Sequence, residues 1–175
     1  NVHKALEAYV IKKKAGEKEI LLCAGGGCIA SGSLKIKKLL EEKLADEKLS
    51  INVKATGCLG PCAKGPVIMI QPDGVFYENV KPEDVSDIVN THIRHGKLIE
   101  RLAHRNVKDN KPVYKLSEID FFTKQTKIVL RNCGRIDPLK IEDYIAEEGY
   151  QALAKVLTSM SPERLIEEMK QSGLK

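Results

Sequence analysis

The chain has no tryptophan, and its three phenylalanines and five tyrosines make up only 5% of 175 residues. It also lacks a stripe of basic residues interleaved with aromatics, the footprint nucleic-acid binding requires. The net charge of +5 comes from 29 basic residues mixed among 24 acidic ones. Only Lys12-Lys13-Lys14 form a basic run, which reads as a solvated helix end. No apolar run approaches the roughly 20 residues of a membrane span. The N-terminus carries no signal-peptide pattern. Neither nucleic acid nor membrane is therefore expected as a partner, and the expected setting is a reducing cytoplasm, where cysteines persist as thiols. Two motifs are missing as well. No C-x-x-C is available for thiol exchange. No G-x-G-x-x-G stands between a strand and a helix, because Gly25-Gly26-Gly27 is flanked by cysteines.

What is present is a pair of short cysteine motifs. Cys23-Ala24-Gly25-Gly26-Gly27-Cys28 is a C-x4-C, and Cys58-Leu59-Gly60-Pro61-Cys62 is a C-x3-C. Each opens where a strand-like run ends, Ile20-Leu21-Leu22 before the first and Ile51-Asn52-Val53-Lys54-Ala55 before the second. Glycine lets the backbone approach a bound group closely, with N–H groups free to point at it. Four thiolates can hold zinc, a 2Fe–2S or a 4Fe–4S cluster, or can pair as disulfides. Structural zinc favours C-x2-C knuckles and bacterial 4Fe–4S sites use C-x2-C runs; neither spacing occurs. Two separate loops closing on a binuclear cluster fit the intervals best, with zinc and disulfides left open. Cys133 has no partner at ligand spacing and reads as a buried structural thiol. His3, His92, His95 and His104 fall in no motif, and four cysteines leave no need for Rieske-type histidine ligands. Pro61 and Pro66 read as stiffeners of the second loop.

Apolar spacing predicts a short helix over residues 2–14, with Ala5, Leu6, Tyr9 and Val10 on one face. A strand follows over 19–23. Ser31 or Ser33 then caps a helix bearing Ile36, Leu39, Leu40 and Leu44. With a second strand over 51–55 this makes a parallel βαβ unit. Residues 66–70 and 75–78 form a hairpin around Pro72-Asp73-Gly74. Pro82 opens a helix carrying Val85, Ile88, Val89 and Ile93, ended by Gly96. The expected order is β-α-β-β-β-α, closing near residue 97. Residues 98–125 read as a polar linker with a loop signal at Lys108–Pro112 and a preference for motion between domains. Val113, Tyr114, Leu116, Phe121 and Phe122 are the residues that could instead pin it to the domain that follows and fix the geometry. Residues 127–132 read as a strand. Helices then begin at Asp137-Pro138, near Tyr150, and at Ser161-Pro162, the last with a serine cap.

The stretch CAGGGCIASGS, then GCLGPCAKGP and the hairpin VIMIQPDGVFYENV, resembles the thioredoxin-like 2Fe–2S ferredoxin family. That resemblance implies Cys23, Cys28, Cys58 and Cys62 as ligands of one 2Fe–2S cluster. Further on, IVLRNCGRIDPLKIEDYIAEEGYQALAKVL and SPERLIEEMKQSGLK resemble the start of the flavin- and NADH-binding subunit of complex I. Soluble relatives of that subunit include NAD(P)-linked, electron-bifurcating hydrogenases and formate dehydrogenases. The two together imply an α/β chain: a thioredoxin-like ferredoxin domain followed by the truncated start of a flavin-binding domain. The boundaries expected are residues 1–16 for an N-terminal arm, 17–97 for the ferredoxin domain, 98–125 for the linker and 126–175 for the flavin-domain start. In that family the segment ending like SGLK runs into a Gly-rich loop around the flavin phosphate, and no such loop is in this chain. FMN, NAD(P) and 4Fe–4S clusters are thus expected only in a missing downstream part or in partner subunits. The expected function is single-electron relay inside a multisubunit iron–sulfur flavoprotein complex. A metal-stapled docking module for subunit assembly is the alternative.

Overall fold

The computed structural model describes residues 16–174; the helix expected over residues 2–14 lies outside them. Strand β1 (Glu19–Cys23) pairs in parallel with β2 (Asn52–Thr56), from Glu19 opposite Asn52 to Cys23 opposite Thr56. Parallel strands need a crossover. Here it consists of a short helix α1 (Gly26–Ala30) and the longer α2 (Ser33–Asp46), which buries Ile36, Leu40 and Leu44 at every fourth position. Burying each of these side chains is worth about 1.5–3 kcal/mol. Gly32, in the left-handed region at φ +88°, caps α2, not either serine expected. Strands β3 (Ile68–Gln71) and β4 (Val75–Tyr77) form an antiparallel hairpin on the other side of β1, giving the order β2-β1-β3-β4.

Alternation along the strands sorts their side chains onto two faces. Ile20, Leu22, Ile68, Ile70, Val75 and Tyr77 face α2 and a helical run over 82–93. That run is a 3-10 turn (Pro82–Asp84), one α-helical turn α3 (Val85–Asp87) and a π-helical stretch (Ile88–Ile93), which buries Ile88, Val89 and Ile93. Leu21, Cys23, Met69 and Phe76 point to the opposite face.

Residues 98–125 are where the structure departs furthest from expectation. They are no free linker, and the domain does not close at residue 97. This segment holds the two-residue strands β5 (His104–Arg105) and β6 (Pro112–Val113) and the short helix α4 (Asp120–Thr123). Its backbone closes the outer edge of β4. Tyr77 bridges Ala103, Val75 bridges Lys115, and Phe76 N–H donates to the Tyr114 carbonyl at 2.7 Å. Its side chains then cover the second face: Ile119 is buried there with Val113, Leu116 and Phe122 packed beside it. Phe122 meets Phe76 edge-on at 5.3 Å between ring centres. Without this cover, Leu21, Met69 and Phe76 would lie in water. Val113, Leu116 and Phe122, expected to pin the segment to a flavin domain if they pin it at all, pack on this four-stranded sheet instead.

The strand expected over 127–132 is absent as well; residues 129–135 form consecutive turns, with Ile128 and Val129 78% and 91% exposed. Three helices follow, α5 (Ile141–Ala146), α6 (Gln151–Ser159) and α7 (Pro162–Gln171). The Ser161 hydroxyl accepts from Arg164 N–H at the start of α7, as the Ser-Pro signal predicts. Helix α5 is tied to the sheet through Asp143, which is fully buried. Its carboxylate accepts from Asp137 N–H at 2.7 Å and lies 3.8 Å from Lys54 Nζ on β2. Lys54 in turn pairs with Glu19 at 2.7 Å.

Candidate metal centre

Because β1 and β2 run parallel and in register, both end at the same edge of the sheet. Cys23 is the last residue of β1, and Cys58 follows Thr56, its cross-strand partner, by two positions. The strand end is held firmly: Cys23 N–H donates to the Val67 carbonyl at 3.1 Å and Ala24 N–H to the Thr56 carbonyl at 2.9 Å. Helix α1, which sequence reading missed, turns the glycine run so that Cys28 comes back, buried, against Cys23. Its five residues include two glycines, so propensity alone gives no helical signal. Cys62 opens a 3-10 turn (Cys62–Lys64).

All four thiols named from the sequence are brought together. Cys28 is within hydrogen-bonding reach of Cys23 and also feels Cys62; Cys58 is within reach of Cys62 and also feels Cys23. All are free thiols, Cys23 and Cys28 buried, Cys58 and Cys62 exposed. Burial is the main influence pushing the Cys28 thiol up to about 11, with Cys23 adding to it. Burial likewise pushes Cys58 up, followed by its thiol neighbours. Two backbone donors act the other way: Val67 N–H on Cys28 and Gly60 N–H on Cys58.

The surrounding glycines leave space that a side chain would fill. A Cβ at Gly65 would sit 2.7 Å from Cys28 Sγ, and one at Gly25 would sit 3.0 Å from Cys58 Cβ and 3.2 Å from its Sγ. Gly65 was not singled out from the sequence; its place between a cysteine turn and Pro66 is the only signal it gives. Among the described residues, no three His, Cys, Asp or Glu side chains are placed to share a single metal ion. The thiols sit instead as two pairs.

Cys133 is not where it was expected. It is partly exposed and lies against the second cysteine loop: a Cβ at Gly57 would be 3.2 Å from Cys133 Sγ. Beside it Leu59, buried, covers Gly134, and the Phe121 ring lies on Gly60. None of these contacts leaves a periodic trace in the sequence.

The chain is similar to several known proteins. A 2Fe-2S ferredoxin of Clostridium pasteurianum is 39% identical over 79 residues, which is 44% of this chain and 78% of that protein. Subunit HndC of the NADP-reducing hydrogenase of Solidesulfovibrio fructosivorans is 56% identical over 52 residues, 30% of this chain but only 10% of the subunit. The crystal structure of the thioredoxin-like 2Fe-2S ferredoxin from Aquifex aeolicus shares 35% identity at a TM-score of 0.47, spanning 50% of this chain and 96% of that one. The family description that matches, over residues 4–92, is the thioredoxin-like 2Fe-2S ferredoxin, and with two thiol pairs at the shared end of a parallel strand pair this chain belongs to that family.

Proposed function

We propose that Cys23, Cys28, Cys58 and Cys62 hold the 2Fe–2S cluster. In this reading the chain passes single electrons to or from a flavin or iron–sulfur partner in an NAD(P)H-linked multisubunit oxidoreductase, of the hydrogenase or complex I type. The observation that carries the reading is the gathering of four thiols, as two pairs, at one sheet edge. A two-iron cluster asks for two thiolates per iron, whereas a tetrahedral zinc asks for four about one point. When bound, such a cluster supplies a centre that gains and loses one electron without bonding to substrate.

The chain's own residues do the rest. The four cysteines bind as thiolates, so the protons that burial holds on Cys28 and Cys58 leave on metal binding. Gly25 and Gly65 keep the space beside Cys58 and Cys28 clear. The Val67 and Gly60 N–H groups donate to ligand sulfurs, and donors of this kind favour the more negative, reduced state and so raise the potential. FMN, NAD(P) and any 4Fe–4S clusters are assigned to a partner subunit or to sequence outside this chain. The hydrogenase subunit among the relatives supports this choice of partner. Five cysteines without a disulfide suit a cytoplasmic setting.

Iron and sulfide analysis of the purified chain tests the reading. Two irons and two acid-labile sulfides per chain are expected, with a red-brown colour that dithionite bleaches. One zinc without sulfide, in a colourless protein, would leave the docking module as the function.

A further inference from the structure

We infer that Phe121 is a positioning residue for the metal centre, holding the Gly60 backbone in place between Cys58 and Cys62. This rests on the cluster reading above and adds to it a part of the chain beyond the residues matched by the ferredoxin family. Gly60 has φ +116°, a conformation that side chains rarely adopt; its carbonyl accepts from Cys62 N–H at 2.8 Å, and its own N–H opposes the upward push on the Cys58 thiol. The ring of Phe121 fills the space in front of Gly60: a Cβ there would lie 3.1 Å from Cε1 and 3.4 Å from Cζ. The ring is itself braced. It meets Phe122 edge-on at 5.1 Å, and Phe122 meets Phe76 of the sheet. Two neighbouring contacts clamp the same loop, Leu59 over Gly134 and Cys133 against Gly57. Three of the four residues over 57–60 are thus backed by residues 121–134.

The consequence is electrostatic. Left-handed backbone at a glycine is only one of several accessible states, so without the ring the loop can turn its N–H away from Cys58. Losing a donor to a ligand sulfur disfavours the reduced state. Extra water would act in the opposite direction, but Cys58 is already exposed, so removing Phe121 adds little solvent there. The lost hydrogen bond is the larger effect, and the potential falls.

The experiment is an EPR-monitored redox titration of the full chain, alongside iron release to a chelator. Phe121→Ala is expected to have a lower midpoint potential than wild type and to lose iron roughly 10-fold faster. Phe121→Tyr, which keeps the ring, should restore both. Leu40→Ala, a core truncation on the opposite face, should lower stability without moving the potential, separating positioning from general loosening. If Phe121→Ala unfolds, Phe121→Leu, which shortens the reach over Gly60, takes its place in the titration. An unchanged or raised potential in a folded variant that carries two irons and two sulfides overturns this inference alone. Zinc without sulfide in the wild type overturns the cluster reading with it.

Discussion

His92 and Tyr77 form a buried polar pair beside the apolar cluster under the sheet. The Tyr77 hydroxyl lies 2.8 Å from His92 Nδ1 and accepts from Ile99 N–H at 3.1 Å, so it donates to a neutral imidazole. Burial, then nearby Lys18, holds the His92 imidazole below its ordinary value of 6.5, and burial pushes the Tyr77 phenol up to about 12. The sign of the pH effect follows. The unfolded chain takes up a proton on this histidine near the ordinary value, while the folded chain resists it. Stability is therefore full above that value and declines as pH falls through it, until the folded histidine also protonates. Urea unfolding between pH 8 and pH 5 should show this decline. In Tyr77→Phe, which leaves the Ile99 N–H and His92 Nδ1 without partners, stability at pH 8 should drop by about 1–3 kcal/mol. A flat profile in the wild type would contradict the assignment. The Tyr77–His92 pairing had no sequence signal, since the two residues are 15 apart and neither stands in a motif. The four cysteines gathered at the sheet edge, by contrast, were legible at once: their spacing is short and local, and the strands before them are strongly apolar.

At the scale of elements, legibility tracked periodicity. Helix α2 could be read because its buried residues repeat every four positions, and the β3–β4 hairpin because two apolar runs flank the Pro72-Asp73-Gly74 turn. The 98–125 segment could not, because it buries Leu102, Ala103 and Ile119 at irregular intervals and attaches largely through its backbone. The false strand at Ile128-Val129-Leu130 has the opposite cause. Its composition favours a strand, but residues 129–135 turn instead and pair with no strand, while the edge of β4 is held by Ala103 and Lys115. The role given to the segment can be tested at Ile119, which is 2% exposed on the cysteine face. Ile119→Ala should cost about 2–5 kcal/mol, the usual penalty for a truncation in a packed core. A change near zero in urea midpoint would return the segment to the status of a linker.

Over the molecule, burial is uneven. The sheet, both of its covers and Asp143 of α5 are packed, whereas residues 151–174 contain no buried side chain. Helices α6 and α7 turn Leu153, Leu157, Ile166 and Met169 to solvent at 50% exposure or more. Limited proteolysis should therefore cut first beyond residue 147 and leave a coloured fragment that retains everything up to Ala146. Initial cleavage within 98–105 or 112–125 would show that those stretches are not bound as described.

The doubly covered sheet also bears on how such a protein could be taken apart or recombined. The electron carrier is not a cartridge that ends where its last regular helix ends. A gene fragment stopping at residue 97 would strip the lining from Leu21, Met69 and Phe76 and lay bare one side of the cysteine pairs. Grafting this carrier onto a different host therefore means transplanting the chain through Ala146, the irregular half along with the regular one.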